Sequence, residues 1–365
     1  MTDAPQSTAP MVDPQRRRGR GAVSNPAARF EPTHLEDMDD GWGEPDELPP
    51  IRTEVLIDKA RSVITRNASP DIPFDRSLNP YRGCEHGCVY CFARPTHAYL
   101  GLSPGLDFES RLFAKPDARQ LLEKELSKPG YVPRTLAIGT NTDPYQPIER
   151  QYQLMRGILE VLCRMGHPVS IVTKSALVMR DIDLLAQMAE RGLVCVALSV
   201  TTLDAKLART MEPRASAPYK RLEAMRQLSA AGIPVSVMVA PIIPAMNDSE
   251  IEAILEAAYE AGAREAGYVL LRLPLEVRDL VVEWLVTHYP DKARHVLSLI
   301  RDARGGKDYD ARWNERMTGT GPYAAMIGRR FEVALRRIGY LKRQPRLRTD
   351  LFRGAPPQAQ QLSLF

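Results

Sequence analysis

Between Ile72 and Leu273 two hydrophobic patterns alternate along the chain. Short apolar, β-branched runs at Thr135–Gly139, Val169–Thr173, Val194–Val200, Val235–Val239 and Tyr268–Leu273 predict strands buried on both faces. Longer stretches of helical period separate or flank them, at Asp117–Leu126, Tyr152–Arg164, Asp181–Arg191, Tyr219–Ala231 and Asp248–Ala261. Three of these open with Asp, and Asn247-Asp248-Ser249-Glu250 resembles a helix cap. The loops Met165-Gly166-His167-Pro168 and Ala231-Gly232-Ile233-Pro234 are short and carry Gly, as helix stops feeding parallel strands do. An α/β fold with a parallel sheet or barrel follows. Beyond Pro274 the pattern turns helical, with candidates at Glu276–His288, Lys292–Arg301 and Tyr323–Ile338.

The 365 residues are 44% hydrophobic and 26% charged, enough to bury a large core. No run of 18 or more apolar residues and no apolar h-region near the start are present, so neither a membrane span nor a signal peptide is expected and a cytoplasmic location is. Residues 1–50 hold eight prolines, the basic run Arg16-Arg17-Arg18 with Arg20, and eight carboxylates from Glu31 to Glu47, a composition that predicts a disordered arm. The net charge is only +4, but residues 329–348 set eight Arg or Lys against the single acid Glu332, a local +7 that suggests a phosphate-binding face. The chain thus divides into an arm (1–50), a barrel (51–275), a basic helical extension (276–345) and a flexible tail (346–365).

Five cysteines is an odd number, and Cys84, Cys88 and Cys91 crowd into eight positions, which disfavours disulfides and favours metal. The spacing Cys-x3-Cys-x2-Cys, with Gly83 and Gly87 free to take positive φ, brings three thiolates to a common centre. Three is one fewer than a [4Fe–4S] cluster usually takes, leaving one iron open to a ligand. The alternative is a zinc knob with His86 as fourth ligand; His86 lies inside the first gap and would have to fold back onto a metal already gripped on both sides. Cys163 and Cys195 fall in a helix and a strand, where free cysteines are commonly small buried apolar residues.

The cysteine spacing, with an aromatic residue, Tyr90, just before the third cysteine, resembles the radical S-adenosylmethionine (SAM) superfamily. The resemblance implies a partial (βα)6 TIM-like barrel, a [4Fe–4S] cluster on the three cysteines, and SAM chelated by the open iron. Reductive cleavage of SAM then yields a 5′-deoxyadenosyl radical that abstracts hydrogen from substrate. A reducing partner such as flavodoxin or ferredoxin is implied. From Asp75 to Leu273 the chain looks like the spore photoproduct lyase-related branch. Tyr90 belongs to the cofactor pocket, and Asn141 and Asp143, in the polar stretch after Gly139, would meet the SAM amino group or neighbouring polar atoms. Lys174 would reach the SAM carboxylate, Ser199 would contact SAM, and Glu212-Pro213-Arg214 would shape the rim. One departure is that the strand ending at Gly139 carries no cysteine, whereas spore photoproduct lyase proper uses one to quench a substrate radical.

The ending Gln361-Leu362-Ser363-Leu364-Phe365, carried on a Pro- and Gln-containing linker, resembles the pentapeptide that docks bacterial repair and replication proteins on the β sliding clamp. Together these features predict a lyase-type radical enzyme acting on a base in DNA, with RNA or protein substrates as one alternative and a non-catalytic, clamp-bound metal adaptor as another. Tyr81, Tyr145 and Tyr219 are candidates for base stacking or radical relay.

Overall fold

The computed structural model describes residues 10–31, 49–340 and 346–354. Among them, six parallel strands form the barrel wall: β3 (Arg76–Leu78), β6 (Leu136–Ile138), β7 (Val169–Thr173), β8 (Val194–Ser199), β9 (Val235–Ile242) and β10 (Glu265–Leu270). The strand β2 (Ile64–Arg66) extends this sheet antiparallel to β3, so its order is β10-β9-β8-β7-β6-β3-β2. Leu136, Ile138, Val169, Ile171, Val194, Val196, Val235 and Val237 are buried, which is why these strands read as continuous apolar runs.

The covering helices are α2 (Ala118–Leu126), α4 (Leu154–Met165), α5 (Ile182–Glu190), α7 (Pro218–Ala230) and α8 (Ile251–Glu260). In α4 the buried side chains Ile158, Leu159, Leu162 and Met165 follow helical spacing, and Gly166 ends it at φ 64°. The short helices α1 (Asp107–Ser110), α3 (Glu149–Tyr152) and α6 (Ala205–Met211) lie in loops at or near the cysteine segment and the carboxyl ends of the strands. These elements match the expected α/β partial barrel within a few residues.

A second sheet, β1 (Glu54–Ile57), β5 (Arg111–Ala114) and β4 (Tyr81–Arg82), was not foreseen; it brackets the cysteine segment. The helices α9 (Val277–His288) and α10 (Pro290–Asp302) pack beneath that segment, with Trp284, Leu280 and Val296 in one apolar cluster with Cys88, Val89 and Tyr90. The last helix, α11 (Gly321–Ile338), runs alongside α8, from the Tyr323–Asp248 hydrogen bond at one end to the Tyr340–Leu255 bond at the other.

Two expectations of disorder are corrected. Residues 10–31 are packed, with Ala22 and Val23 fully buried and Arg20 only 6% exposed, because Arg20 finds acceptors in the core rather than phosphate. Residues 346–354 form a strap across the amino-terminal ends of the strands: Arg348 N donates to Gly192 O, Arg353 N to Met165 O, and Phe352 packs on Tyr131 and His167. The pentapeptide 361–365 lies outside the described residues, as do residues 1–9 and 32–48 of the arm.

Candidate active site

The cysteine segment leaves β4 at the carboxyl end of the barrel, where ligand sites form in parallel α/β folds. Gly83 and Gly87 take φ 73° and 66°; a Cβ at Gly83 would meet Leu112, Phe108 and His97, so the tight path needs glycine. Cys84 N donates to Phe108 O, Val89 N to Met211 O, and Glu85 N to the Gln146 side chain, fixing the loop against three different elements.

A buried pair holds the base of this loop. Arg94, fully buried, donates to the carbonyls of Cys88, Pro104 and Gly105 and pairs with Glu109. The Glu109 carboxylate also accepts Gly21 N and Ala22 N, each at 2.8 Å, so the amino-terminal arm closes over the loop. Sequence reasoning missed Arg94, Glu109 and Gly21. The available signal was the Arg20-Gly21-Ala22 triplet in an otherwise polar arm.

All three thiols sit in surroundings that oppose a bare thiolate: burial pushes Cys88 up to about 12, and Cys84 and Cys91 also upward. A bound metal cancels that charge, so the donor set suits a metal better than a free nucleophile. Among the described residues no three His, Cys, Asp or Glu converge on one point as a single ion requires. His86 is itself committed elsewhere, its Nδ1 lying 3.4 Å from Asp143 with both side chains buried.

Asp143 serves the fold rather than standing open. Its oxygens accept Tyr145 N at 2.9 Å, Thr173 Oγ1 at 2.7 Å and Lys174 N at 2.7 Å besides facing His86. Burial alone would raise its pKa, but the His86 charge and these hydrogen bonds bring it to about 2. It therefore ties the cysteine loop to the ends of β6 and β7. Asn141 is exposed on the rim, held only by its backbone N–H to Asn79 Oδ1 at 3.1 Å.

Lys174, at the end of β7, makes no ion pair among the described residues and lies 5.8 Å from the Tyr90 ring centroid. Its charge also reaches Cys88 and Glu212. Tyr90 donates its hydroxyl to Glu212, which pairs with buried Arg221. Burial would raise Glu212, yet Arg221 and Lys174 outweigh it and hold the carboxylate below its usual range. Arg221 also donates to Ser199 O, at the end of β8, at 2.9 Å. Cys84, Cys88, Cys91, Tyr90, Lys174 and Glu212 thus form one assembly, with Ser199 joined to it through Arg221 and Asn141 at its edge. Tyr81 and Tyr145 are fully buried against Glu149 and Asp181 and present no stacking face.

The basic helix is elsewhere. Arg330 pairs with Glu252 and Arg337 with Glu256 along α8, and Arg336 and Arg337 lie toward the amino-terminal ends of the strands. The arginines of α11 are partly neutralised there and face away from the cysteines.

A family model, the radical SAM superfamily, matches residues 78–258. An uncharacterized protein of Mycobacterium tuberculosis is 38% identical over 250 residues, 68% of this chain and 73% of the relative. One of Methanocaldococcus jannaschii is 27% identical over 199 residues, 54% of this chain and 71% of the relative. Among solved structures, spore photoproduct lyase complexed with dinucleoside spore photoproduct gives a TM-score of 0.52 at 17% identity, over 78% of this chain and 77% of that one. A spore photoproduct lyase variant with bound AdoMet and the same dinucleoside gives 0.51 at 16%, over 80% and 84%. At such identity these two show a common fold.

Proposed function

This chain belongs to the radical SAM superfamily of enzymes, and from that premise we propose that it holds a [4Fe–4S] cluster on Cys84, Cys88 and Cys91, binds SAM beside it, and acts on a base in DNA. When bound, the cluster and SAM supply a one-electron cleavage that delivers a hydrogen-abstracting 5′-deoxyadenosyl radical. The observation that carries the reading is the meeting of three thiols, Cys84 and Cys88 buried and Cys91 half-buried, with Lys174, a cation that pairs with no carboxylate among the described residues, at the carboxyl ends of parallel strands.

Each residue has a task in that arrangement. Lys174 offers a point charge to the SAM carboxylate, and the Ser199 hydroxyl offers a hydrogen bond. Asn141 offers a rim amide. Asp143, through His86 and Lys174 N, orients the loop and the lysine rather than touching SAM. Tyr90, pinned by Glu212, keeps its ring beside Lys174 as a wall of the pocket. The Arg94–Glu109 pair and the arm exclude water from behind the loop. The electron comes from a reducing partner such as flavodoxin or ferredoxin, and Gln361, Leu362, Ser363, Leu364 and Phe365 dock on the β sliding clamp.

DNA as substrate is supported by the fold shared with spore photoproduct lyase complexed with its dinucleoside. The test is anaerobic reconstitution with SAM and reductant, measuring 5′-deoxyadenosine with intact and ultraviolet-irradiated DNA. Production that requires Cys88, vanishes in Cys88→Ala and rises with irradiated DNA is expected. Production indifferent to DNA moves the substrate to RNA or protein; an intact cluster with no production returns the adaptor reading.

A further inference from the structure

β10 and β2 are the two edges of the open sheet, and the loop between α10 and α11 touches both. At β10 the Met317 carbonyl accepts Leu270 N at 2.8 Å, and Arg304, 2% exposed, donates to Leu271 O and Glu315 O at 2.9 Å. On the other side Arg316 pairs with Asp71 at 2.6 Å, in the turn joining β2 to β3. The loop therefore spans the gap that a partial barrel leaves between its edges.

Arg272 stands two residues beyond β10 with its guanidinium 5.0 Å from the centroid of Phe92, the residue that follows Cys91. Its donors are poorly used: Tyr309 OH is at 3.4 Å, Met317 Sδ at 3.6 Å, and the buried Nε has no partner. No carboxylate pairs with Arg272 among the described residues. Arg304 likewise spends its donors on carbonyls, and the Arg272 charge adds to burial in holding the Arg304 pKa below its usual value. Two neighbouring guanidinium groups, partly out of water and unneutralised, are an arrangement that folding opposes and an anion relieves. Most other arginines at the surface, such as Arg156, Arg278 and Arg312, have acidic partners.

One exposed ring lies against this positive point and another stands on the loop that contacts it. Phe92, 44% exposed, meets the guanidinium, and Trp313, 59% exposed, lies in the loop between Tyr309 and Met317. A flat cation with an open ring against it and a second on the contacting loop matches a nucleotide, whose phosphate takes the guanidinium fork and whose base takes a ring face. A peptide carboxylate would use the arginine but has no need of the exposed indole.

We propose that Arg272 binds a phosphate of a nucleic-acid strand at the barrel mouth, with Trp313 stacking on a base of the same strand. The site rests on the DNA reading above and replaces the α11 arginines as its phosphate contact, because it stands beside the cysteines.

The test is fluorescence anisotropy of the full-length reconstituted protein with a short single-stranded oligonucleotide across a salt series. Arg272→Gln should weaken binding about tenfold or more and reduce the logarithmic salt slope by about one. Trp313→Ala should weaken it by a similar factor. Arg337→Gln, on the outer helix pair, should leave affinity unchanged. Neutral methylphosphonate linkages, placed one at a time, keep the protein intact: one linkage should cost wild type the same factor and cost Arg272→Gln nothing further. Wild-type affinity and salt slope in Arg272→Gln, or equal linkage effects in both proteins, overturns the proposal and leaves the DNA reading standing. A wild type that forms 5′-deoxyadenosine but binds no oligonucleotide overturns both; binding to acidic peptides in its place would make the arginine a carboxylate site.

Discussion

At Gly21 a Cβ would fall 1.8 Å from the Gly87 carbonyl oxygen, backbone against backbone, with no flexible side chain to yield. Gly21→Ala must therefore lift the arm from the cysteine loop. Limited proteolysis should then cut at Arg16–Arg20 faster than in wild type, and the iron–sulfur absorbance should bleach sooner in air; an unchanged digestion pattern would mean the two backbones separate freely. Glu109→Gln removes the charge that Arg94 faces at full burial and should lower stability by about 3–5 kcal/mol in denaturant titration. At this scale the cysteines were legible because their spacing is local. The partners of Asp143 were not legible, because an Asp in a turn-rich loop looks alike whether it faces solvent, a ligand or His86. Its partners come from other strands, and no local pattern reports them.

Elements with enough length to show a period were legible: β7, β8, β9 and the helices α4, α5 and α7 lie where the hydrophobic pattern puts them. β3, β4 and β2 have two or three residues and carry no periodicity, so the first barrel strand and the second sheet stayed hidden. The strap was hidden for another reason, since its contacts join one aromatic, Phe352, to His167 and Tyr131 far earlier in the chain. Burial holds the His167 pKa down, to about 4, so the native ring is neutral. Unfolded, it titrates near 6.5, so between about 6.5 and 4 the unfolded chain binds the additional proton. Its contribution is complete above that window and is lost as pH falls through it, at roughly 1.4 kcal/mol per unit at most. The melting temperature should fall from pH 6.5 to pH 5 more steeply in wild type than in His167→Gln; parallel slopes would remove His167 as the cause. Phe352→Ala should cost about 2 kcal/mol, less than a fully buried ring, and leave 5′-deoxyadenosine formation intact.

Across the whole molecule, barrel, helical extension and arm share packing around the cysteine loop, while the strap lies on the opposite side of the barrel. Among the described residues no helix is long and apolar enough to cross a membrane. Deleting residues 361–365 should abolish capture by immobilised clamp while preserving cluster content and SAM cleavage; retained capture would exclude the pentapeptide. The arm has a second hold besides Glu109, because the Ser24 hydroxyl donates to Glu283 on α9 and Met11 meets Thr287. On the ribosome, residues 11–24, made long before α9, must therefore wait for α9 to emerge before they can be fastened at both points. Through that interval of synthesis the cysteines are already outside the exit tunnel and only half covered, which for the cluster proposed on them sets a time window for iron delivery. Stalled chains ending before and after Glu283 should differ in how readily a thiol reagent reaches Cys88, and equal labelling would mean that Glu109 alone closes the cover.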